Sequence, residues 1–290
     1  MKLSEGGKLS TDTMAAVRHV AETYILPRYK RLAEDDVRAK SHPGDLVTVA
    51  DEESERALTM LLPEILPGSL VIGEEAASAD PKVLNRLGGD EFVWIVDPID
   101  GTVNFVNGIA RFAVMVALVR KGETLMGWIH DPVANQTLWA EKGGGAYLMQ
   151  GDGAPVKMLV PQPAGENFST MAAGFYSRDT AKVKGQFGRV VRLGSAAHDY
   201  WSLVDGRTQV LHFKGLKPWD HAAGILIHKE AGGFNLLLSR QEYSPAALDH
   251  TGILCAPNKA LWEKIVAELS AEYLISRHLF ASVGADIKRT

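Results

Sequence analysis

Only one of the 290 residues is cysteine, Cys255. An internal disulfide is therefore impossible, and the thiol-poor composition points to a reducing compartment. Zinc and iron–sulfur sites that need several thiolates are largely excluded as well. Long apolar runs are also missing. The longest, Phe112 to Val119, has eight residues, against the ~20 that a membrane helix needs. Met1 to Thr13 lacks the apolar stretch of a secretory signal, so a soluble, cytoplasmic protein is expected. Neither sign of charge is in excess: 31 Lys plus Arg against 35 Asp plus Glu leave −4. No basic field invites nucleic acid or an anionic membrane. Low-complexity tracts, fixed-period repeats and long charge runs are absent from the sequence.

What remains is an ordinary globular composition, 46% hydrophobic and 23% charged. At ~150 residues per domain the length suggests two domains. Thr11-Asp12-Thr13 reads as a cap for a helix with apolar positions Met14, Val17, Ala21, Tyr24 and Ile25, interrupted at Pro27. A second helix is expected from about Asp51 to Leu62, with acids at its positive end. Leu70–Gly73 and Phe92–Val96 are short and apolar and read as buried strands. Strands Phe112–Val119, Thr124–His130 and Gln136–Ala140 follow. Beyond the loose Gly151-Asp152-Gly153 stretch the pattern alternates. Strands are expected at Met171–Phe175, Val190–Leu193, Thr208–Phe213 and Ile253–Cys255. Helices are expected from about Asp179, from Ser195 to Val204, from Trp219 to Ala231, and along Leu261, Ile265, Leu269 and Tyr273. This predicts a mixed α+β unit over 1–152 and an α/β unit over 153–290.

The most informative segment is Trp94-Ile95-Val96-Asp97-Pro98-Ile99-Asp100-Gly101-Thr102-Val103-Asn104-Phe105. It sets two acids just past the end of a buried strand, where open α/β sheets place ligands. Gly101 and Thr102 then begin a short helix whose free N–H groups suit an anion. Acids beside a phosphate cradle make sense if divalent cations lie between them. Glu74 and Glu75 end the preceding strand, Asp51 heads one helix, and Asp220 heads another. All-oxygen ligation suits Mg²⁺, with Mn²⁺ or Ca²⁺ as competitors, and suits zinc poorly.

These residues resemble the inositol monophosphatase family of Mg²⁺-dependent, lithium-sensitive phosphatases. The resemblance rests on Gly73-Glu74-Glu75, on Asp97 to Thr102 with Asn104-Phe105, and on Lys217-Pro218-Trp219-Asp220-His221-Ala222-Ala223-Gly224 running on to Glu230-Ala231-Gly232-Gly233. Asp45-Leu46-Val47-Thr48 with Asp51, and Gly194-Ser195-Ala196-Ala197, are weaker matches. It implies a layered α-β-α-β-α sandwich, a homodimer, and two or three metal ions per site. By position, Glu74, Asp97 and the Ile99 carbonyl would hold one ion, and Asp97, Asp100 and Asp220 a second. A third ion would share Glu74. Thr102, backed by Glu74 and Asp51, would orient the attacking water. Gly101 and Thr102 would hold phosphate oxygens, and Gly194, Ser195 and Ala196 would line the alcohol side. The implied substrate is inositol monophosphate or a related polyol phosphate. Fructose 1,6-bisphosphate, 3′-phosphoadenosine 5′-phosphate and histidinol phosphate are alternatives. A regulatory interaction protein is the alternative of another class. In inositol-selective members an acid seven positions before the Trp-Asp aspartate accepts the inositol hydroxyls. Here that position holds Phe213.

Other polar residues have plainer readings. His130 and His221 read as structural, Cys255 as an inert core thiol. No Gly-x-Ser-x-Gly surrounds Ser195, which argues against a serine hydrolase. Lys40 is placed to pair with a site carboxylate or to stay solvated. His198, Asp199 and Arg178 are placed to approach the pocket.

Overall fold

The computed structural model describes residues 3–40, 44–176, 185–247 and 251–268. Its first helix, α1 (Leu3–Val20), begins well before the expected cap. The hydroxyls of Thr11 and Thr13 donate to the carbonyls of Gly7 and Leu9, four residues back, and so sit inside the helix rather than capping it. Ahead of Pro27 the chain widens into a π turn (Ala21–Ile25) and then tightens into a 3₁₀ turn (Leu26–Arg28). A small antiparallel pair, β1 (Val37–Ala39) and β2 (Leu46–Thr48), leads into α2 (Val49–Ile65). The N-cap of α2 is Thr48, which forms a reciprocal capping box with Asp51.

A seven-stranded sheet follows. It comprises β3 (Leu70–Gly73), β4 (Val93–Asp100), β5 (Ala113–Arg120), β6 (Glu123–Asp131), β7 (Gln136–Glu141), β8 (Gly145–Gln150) and β9 (Val156–Met158), in that spatial order. Only β3 and β4 are parallel. Short helices α3 (Glu74–Ala79) and α4 (Thr102–Val106) follow β3 and β4. The second sheet holds β10 (Ala172–Phe175), β11 (Arg189–Val190), β12 (Val210–Phe213), β13 (Phe234–Leu237) and β14 (Ile253–Ala256), in the order β11-β10-β12-β14-β13. Helices α5 (Ala196–Val204) and α6 (Pro218–Glu230) belong to this half, and α7 runs over 259–268.

Three apolar layers glue the elements into an α-β-α-β-α sandwich. Val17, Leu58 and Leu62 of α1 and α2 pack on Trp94, Val116 and Trp128 of the large sheet. Its other face, through Ile95, Met115 and Ile129, meets Tyr200, Ala223 and Ile227 of α5 and α6, which also cover Leu211 and Cys255 of the second sheet. Leu261, Trp262 and Ile265 of α7 close the outer face against Phe175 and Leu254. Where Gly224 of α6 meets α5, a Cβ would stand 2.1 Å from the Tyr200 ring, so only glycine lets the two helices approach this closely.

The sequence reading needs correction at β4. The strand does not stop at Val96 but runs through Asp100, so Asp97 and Asp100 lie on its last residues rather than beyond it. Two residues three apart on a regular strand face opposite ways. Here the register slips: Asp97 pairs with Met115 but Asp100 with Ala113, so three steps on β4 match two on β5. This bulge of one extra residue lets both acids turn to the same side, and it tolerates Pro98 inside a central strand. Strands β1, β2, β8, β9 and β13 and helix α3 were not expected. The expected strand Val190–Leu193 shrinks to Arg189–Val190. The expected helix from Asp179 and the end of the last helix, with Leu269 and Tyr273, lie outside the described residues.

Candidate active site

One carboxylate oxygen each from Asp97, Asp100 and Asp220 lies within 4.8 Å of the other two. Asp97 and Asp100 arrive on the bulged end of β4, and Asp220 arrives on the first turn of α6. Asp97 is 2% and Asp100 7% exposed. Burial, followed by repulsion from Glu74, Asp100 and Asp220, pushes the Asp97 carboxyl well above the usual range. Burial and then Asp100 and Glu74 do the same to Asp220. Asp100 is also raised by burial, against the donors that hold it. Those donors are the Ser195 hydroxyl on Oδ2, the Ala196 N–H on Oδ1 at 3.0 Å and the Ala197 N–H on Oδ2 at 2.9 Å.

Glu74 begins α3 and stands outside the tight cluster. Its Oε1 takes the Lys40 ammonium at 2.7 Å, and Lys40 also reaches Glu75 at 2.9 Å. Burial alone would lower the Lys40 pKa, but Glu74 and Glu75 outweigh it and the ammonium is held more firmly than usual. Between the two readings open for Lys40, the structure shows the paired one. Asp51 is buried beneath the site, where burial pushes its pKa up to about 7 against the two bonds from Thr48. Thr102 Oγ1 lies 3.3 Å from Asp51 Oδ1 and donates to the Ile99 carbonyl at 3.0 Å. Thr102 thus meets Asp51 as expected, while no contact between Thr102 and Glu74 is among the hydrogen bonds of the described residues.

Gly101 links the strand to α4 at φ +89°, and a Cβ there would lie 2.8 Å from the Arg111 carbonyl. Only glycine turns this corner without strain. Just beyond, the Asn104 amide donates to the carbonyls of Arg111, Leu193 and Gly194 at 2.7, 3.0 and 3.1 Å. This amide ties the acidic turn to the Gly194–Ala196 loop. Beside the cluster a cavity of about 280 Å³ is lined by Asp100, Asp220, Gly194, Ser195, Ala196 and Phe213, among others. Phe213 stacks on Tyr176 at 4.8 Å and Tyr200 at 5.5 Å. Asp199 and Tyr176 share this cavity, and the Tyr176 hydroxyl donates to Asp199. His221 faces inward on Tyr200 and the Gly215 carbonyl, and burial lowers its pKa to about 4. Arg178 lies outside the described residues.

Sequence reasoning missed Glu55. Its carboxylate accepts the N–H groups of Glu75 and Ala76 at 2.8 and 2.9 Å, capping α3 from α2. A Cβ on Gly73 would fall 2.1 Å from the Glu55 carboxyl carbon, so Gly73 makes room for that cap. The available signal was the four-residue spacing of Asp51 and Glu55, which places both on one helix face.

Oxygen donors alone make up the cluster, and their mutual repulsion in a buried setting is relieved by a hard divalent cation. The donor set therefore fits such an ion. In the metal-free protein these raised carboxyls bind protons more tightly when folded than when unfolded. Their stabilising contribution is present below the ordinary carboxylate range and is lost as pH rises through the folded pKa, about 7 for Asp51. A cation restores what is lost. The rise in melting temperature produced by Mg²⁺ should therefore be larger at about pH 8 than at about pH 5. The buried His130, His221 and His228, with pKa lowered to about 4, change stability equally with and without the cation and drop out of that difference. Equal Mg²⁺ increments at the two pH values in a calorimetric scan would contradict cation binding at this cluster.

A profile of the inositol monophosphatase family matches residues 8–273. The chain is 36% identical over 220 residues to the inositol-1-monophosphatase SuhB of Mycobacterium tuberculosis, covering 73% of this chain and 75% of that protein. It is 34% identical over 203 residues to the fructose-1,6-bisphosphatase/inositol-1-monophosphatase of Thermotoga maritima, covering 69% of this chain and 74% of that protein. Among solved structures, an inositol monophosphatase of Thermotoga maritima superposes with a TM-score of 0.72 at 28% identity, covering 90% of this chain and 97% of that one.

Proposed function

The chain belongs to the inositol monophosphatase family, and we propose that it hydrolyses inositol monophosphate or a related polyol or sugar phosphate with Mg²⁺ as the metal. Membership makes it a phosphatase, a phosphoric monoester hydrolase of a metal-dependent family acting on a small phosphorylated substrate. The observation that carries the finer reading is the cluster of Asp97, Asp100 and Asp220, two of which, Asp100 and Asp220, line the cavity.

In this reading Asp97, Asp100 and Asp220 hold the cations, joined by Glu74 and the Ile99 carbonyl. Lys40 engages only Oε1 of Glu74, and a carboxylate has a second oxygen to offer a cation. Bound there, divalent cations neutralise phosphoryl charge, activate water and stabilise the departing alkoxide. The chain's own groups do the positioning. The N–H groups of Gly101 and Thr102 face the phosphate. The Thr102 hydroxyl, set between Asp51 and the Ile99 carbonyl, orients the water that attacks phosphorus in line, with no covalent phosphoenzyme. Gly194, Ser195 and Ala196 border the leaving alcohol. Mn²⁺ substitutes for Mg²⁺, and Li⁺ inhibits by taking a cation position with half the charge. The active form is a cytoplasmic homodimer that binds neither nucleic acid nor membrane. No helix among the described residues is long and apolar enough to cross a membrane.

Asp97→Asn removes charge at the residue that would serve both cation positions. Its turnover should fall on the order of 10³-fold, several kcal/mol of transition-state stabilisation. Phosphate release in a Mg²⁺ titration, repeated with Li⁺ and with excess chelator, checks this. Undiminished turnover in chelator would refute the metal-dependent mechanism.

Phe213 bears on the substrate. Its buried ring borders the cavity where inositol-selective relatives are expected to carry an acid, and a ring cannot accept hydroxyl hydrogen bonds. An unpaired, desolvated hydroxyl costs ~1–3 kcal/mol. Selectivity for inositol monophosphate over other phosphate esters should therefore be weak, and Phe213→Glu should raise its relative kcat/KM. A wild type that prefers inositol monophosphate by ~100-fold over glycerol 2-phosphate, or ~2.7 kcal/mol, would contradict this.

A further inference from the structure

His198 takes no part in the mechanism above, yet it is built into the site. It lies on α5, 8% exposed, with Nδ1 3.0 Å from Ser195 Oγ and Nε2 3.4 Å from Asp131 Oδ2. Ser195 Oγ in turn donates to Asp100 Oδ2 and accepts the backbone N–H of His198 at 3.2 Å. Asp131 ends β6, and its Oδ1 is pinned by the N–H groups of Val133 and Ala134, both at 2.9 Å. A chain of four side chains, all buried but the half-buried Asp131, thus runs from a turn of the large sheet, through α5, to the acid on β4.

Hydrogen counting gives the chain a direction. A serine hydroxyl carries one proton and two lone pairs. Ser195 gives its proton to Asp100, so both lone pairs accept. One takes the His198 backbone N–H, and the other is left for His198 Nδ1–H; with Nε2 facing the Asp131 carboxylate, the ring that completes the chain carries a proton on each nitrogen. Without that ring donor the hydroxyl is free to rotate toward the imidazole or another acceptor, and Asp100 loses a charge-assisted bond.

We propose that His198 and Asp131 are positioning residues for Asp100. Asp131 orients the imidazole ring, and His198 Nδ1–H fixes the Ser195 hydroxyl. Ser195 then holds the Asp100 carboxylate in the orientation that a cation requires. The proposal rests on Asp100 being a metal ligand. Partners that orient metal ligands from behind typically change affinity by about 10–100-fold when removed.

The test is Mn²⁺ binding to the purified full chain, followed by loss of the free-ion electron paramagnetic resonance signal. His198→Leu, of similar volume and without a donor, should weaken Mn²⁺ by about 10-fold or more. His198→Asn places an amide N–H near the Nδ1 position and should recover most of that affinity. At saturating cation the substrate KM of both variants should match the wild type. A wild type that binds no Mn²⁺ would overturn the metal-site reading itself. Wild-type binding with unchanged affinity in His198→Leu would overturn only the present proposal. So would a folded His198→Asn that binds as weakly as His198→Leu, because packing would then explain the loss. Should His198→Leu fail to fold by circular dichroism, Asp131→Ser carries the test. It keeps a side-chain oxygen for the turn but removes the carboxylate that faces His198 Nε2, and unchanged Mn²⁺ affinity there would overturn the proposal.

Discussion

Repulsion among buried carboxylates is the constraint on which the rest of this structure depends. Asp97, Asp100 and Asp220 converge within 4.8 Å, and Glu74 and Asp51 add to the negative potential at Asp97. A protein interior opposes that arrangement, since burial and like charge both favour protonation. The arrangement persists because covalent and packing constraints fix each acid independently. Two lie on one strand and the third begins a helix wedged between two sheets. Lys40 supplies one counter-charge at the Glu74 edge. The remainder of the repulsion is what a hard cation would relieve, so in the proposed function the cost in the metal-free protein and the chemistry have the same origin.

The surrounding architecture converts that constraint into a defined geometry. The β4 bulge turns two acids to one side where a regular strand would separate them. Glu55 caps α3 and so sets the start of the helix that carries Glu74. Asn104 ties the acidic turn to the Gly194 loop through three carbonyls, and Ser195 with the first N–H groups of α5 grips Asp100. Residues from both sheets and from the helices between them therefore meet at one point. Displacing any of these elements by an ångström changes a distance at the carboxylate cluster.

Much of this was legible in the sequence, and the exceptions have physical reasons. Asp97, Asp100, Asp220 and Asp51 stand out because acids at strand and helix ends read as ligands, while the role of Thr102 came from the resemblance; the structure clusters the first three and sets Asp51 against Thr102. The layered sandwich followed from the resemblance rather than from periodicity, which showed only alternating strands and helices. The continuation of β4 through Pro98 was hidden because proline argues against a central strand, and a bulge is a property of register with β5 that one strand's sequence does not contain. The start of α1 was misplaced because Thr11 and Thr13 cap helices as readily as they bond back within them. Strands β8 and β9 lie among glycines and half-exposed residues, where alternation is weak. Glu55 escaped notice because an acid on a helix ordinarily reads as a solvated face. His198 was visible as a candidate, but its partner Asp131 is distant in sequence and only the fold joins them.

The central claim is that the Asp97–Asp100–Asp220 cluster holds divalent cations. Crystals soaked in Mn²⁺ and measured near the manganese absorption edge test it most directly. The account predicts an anomalous peak among these three carboxylates, with oxygens at the roughly 2.0–2.2 Å typical of a small hard cation. A crystal soaked at saturating Mn²⁺ with no anomalous density at the cluster would contradict it.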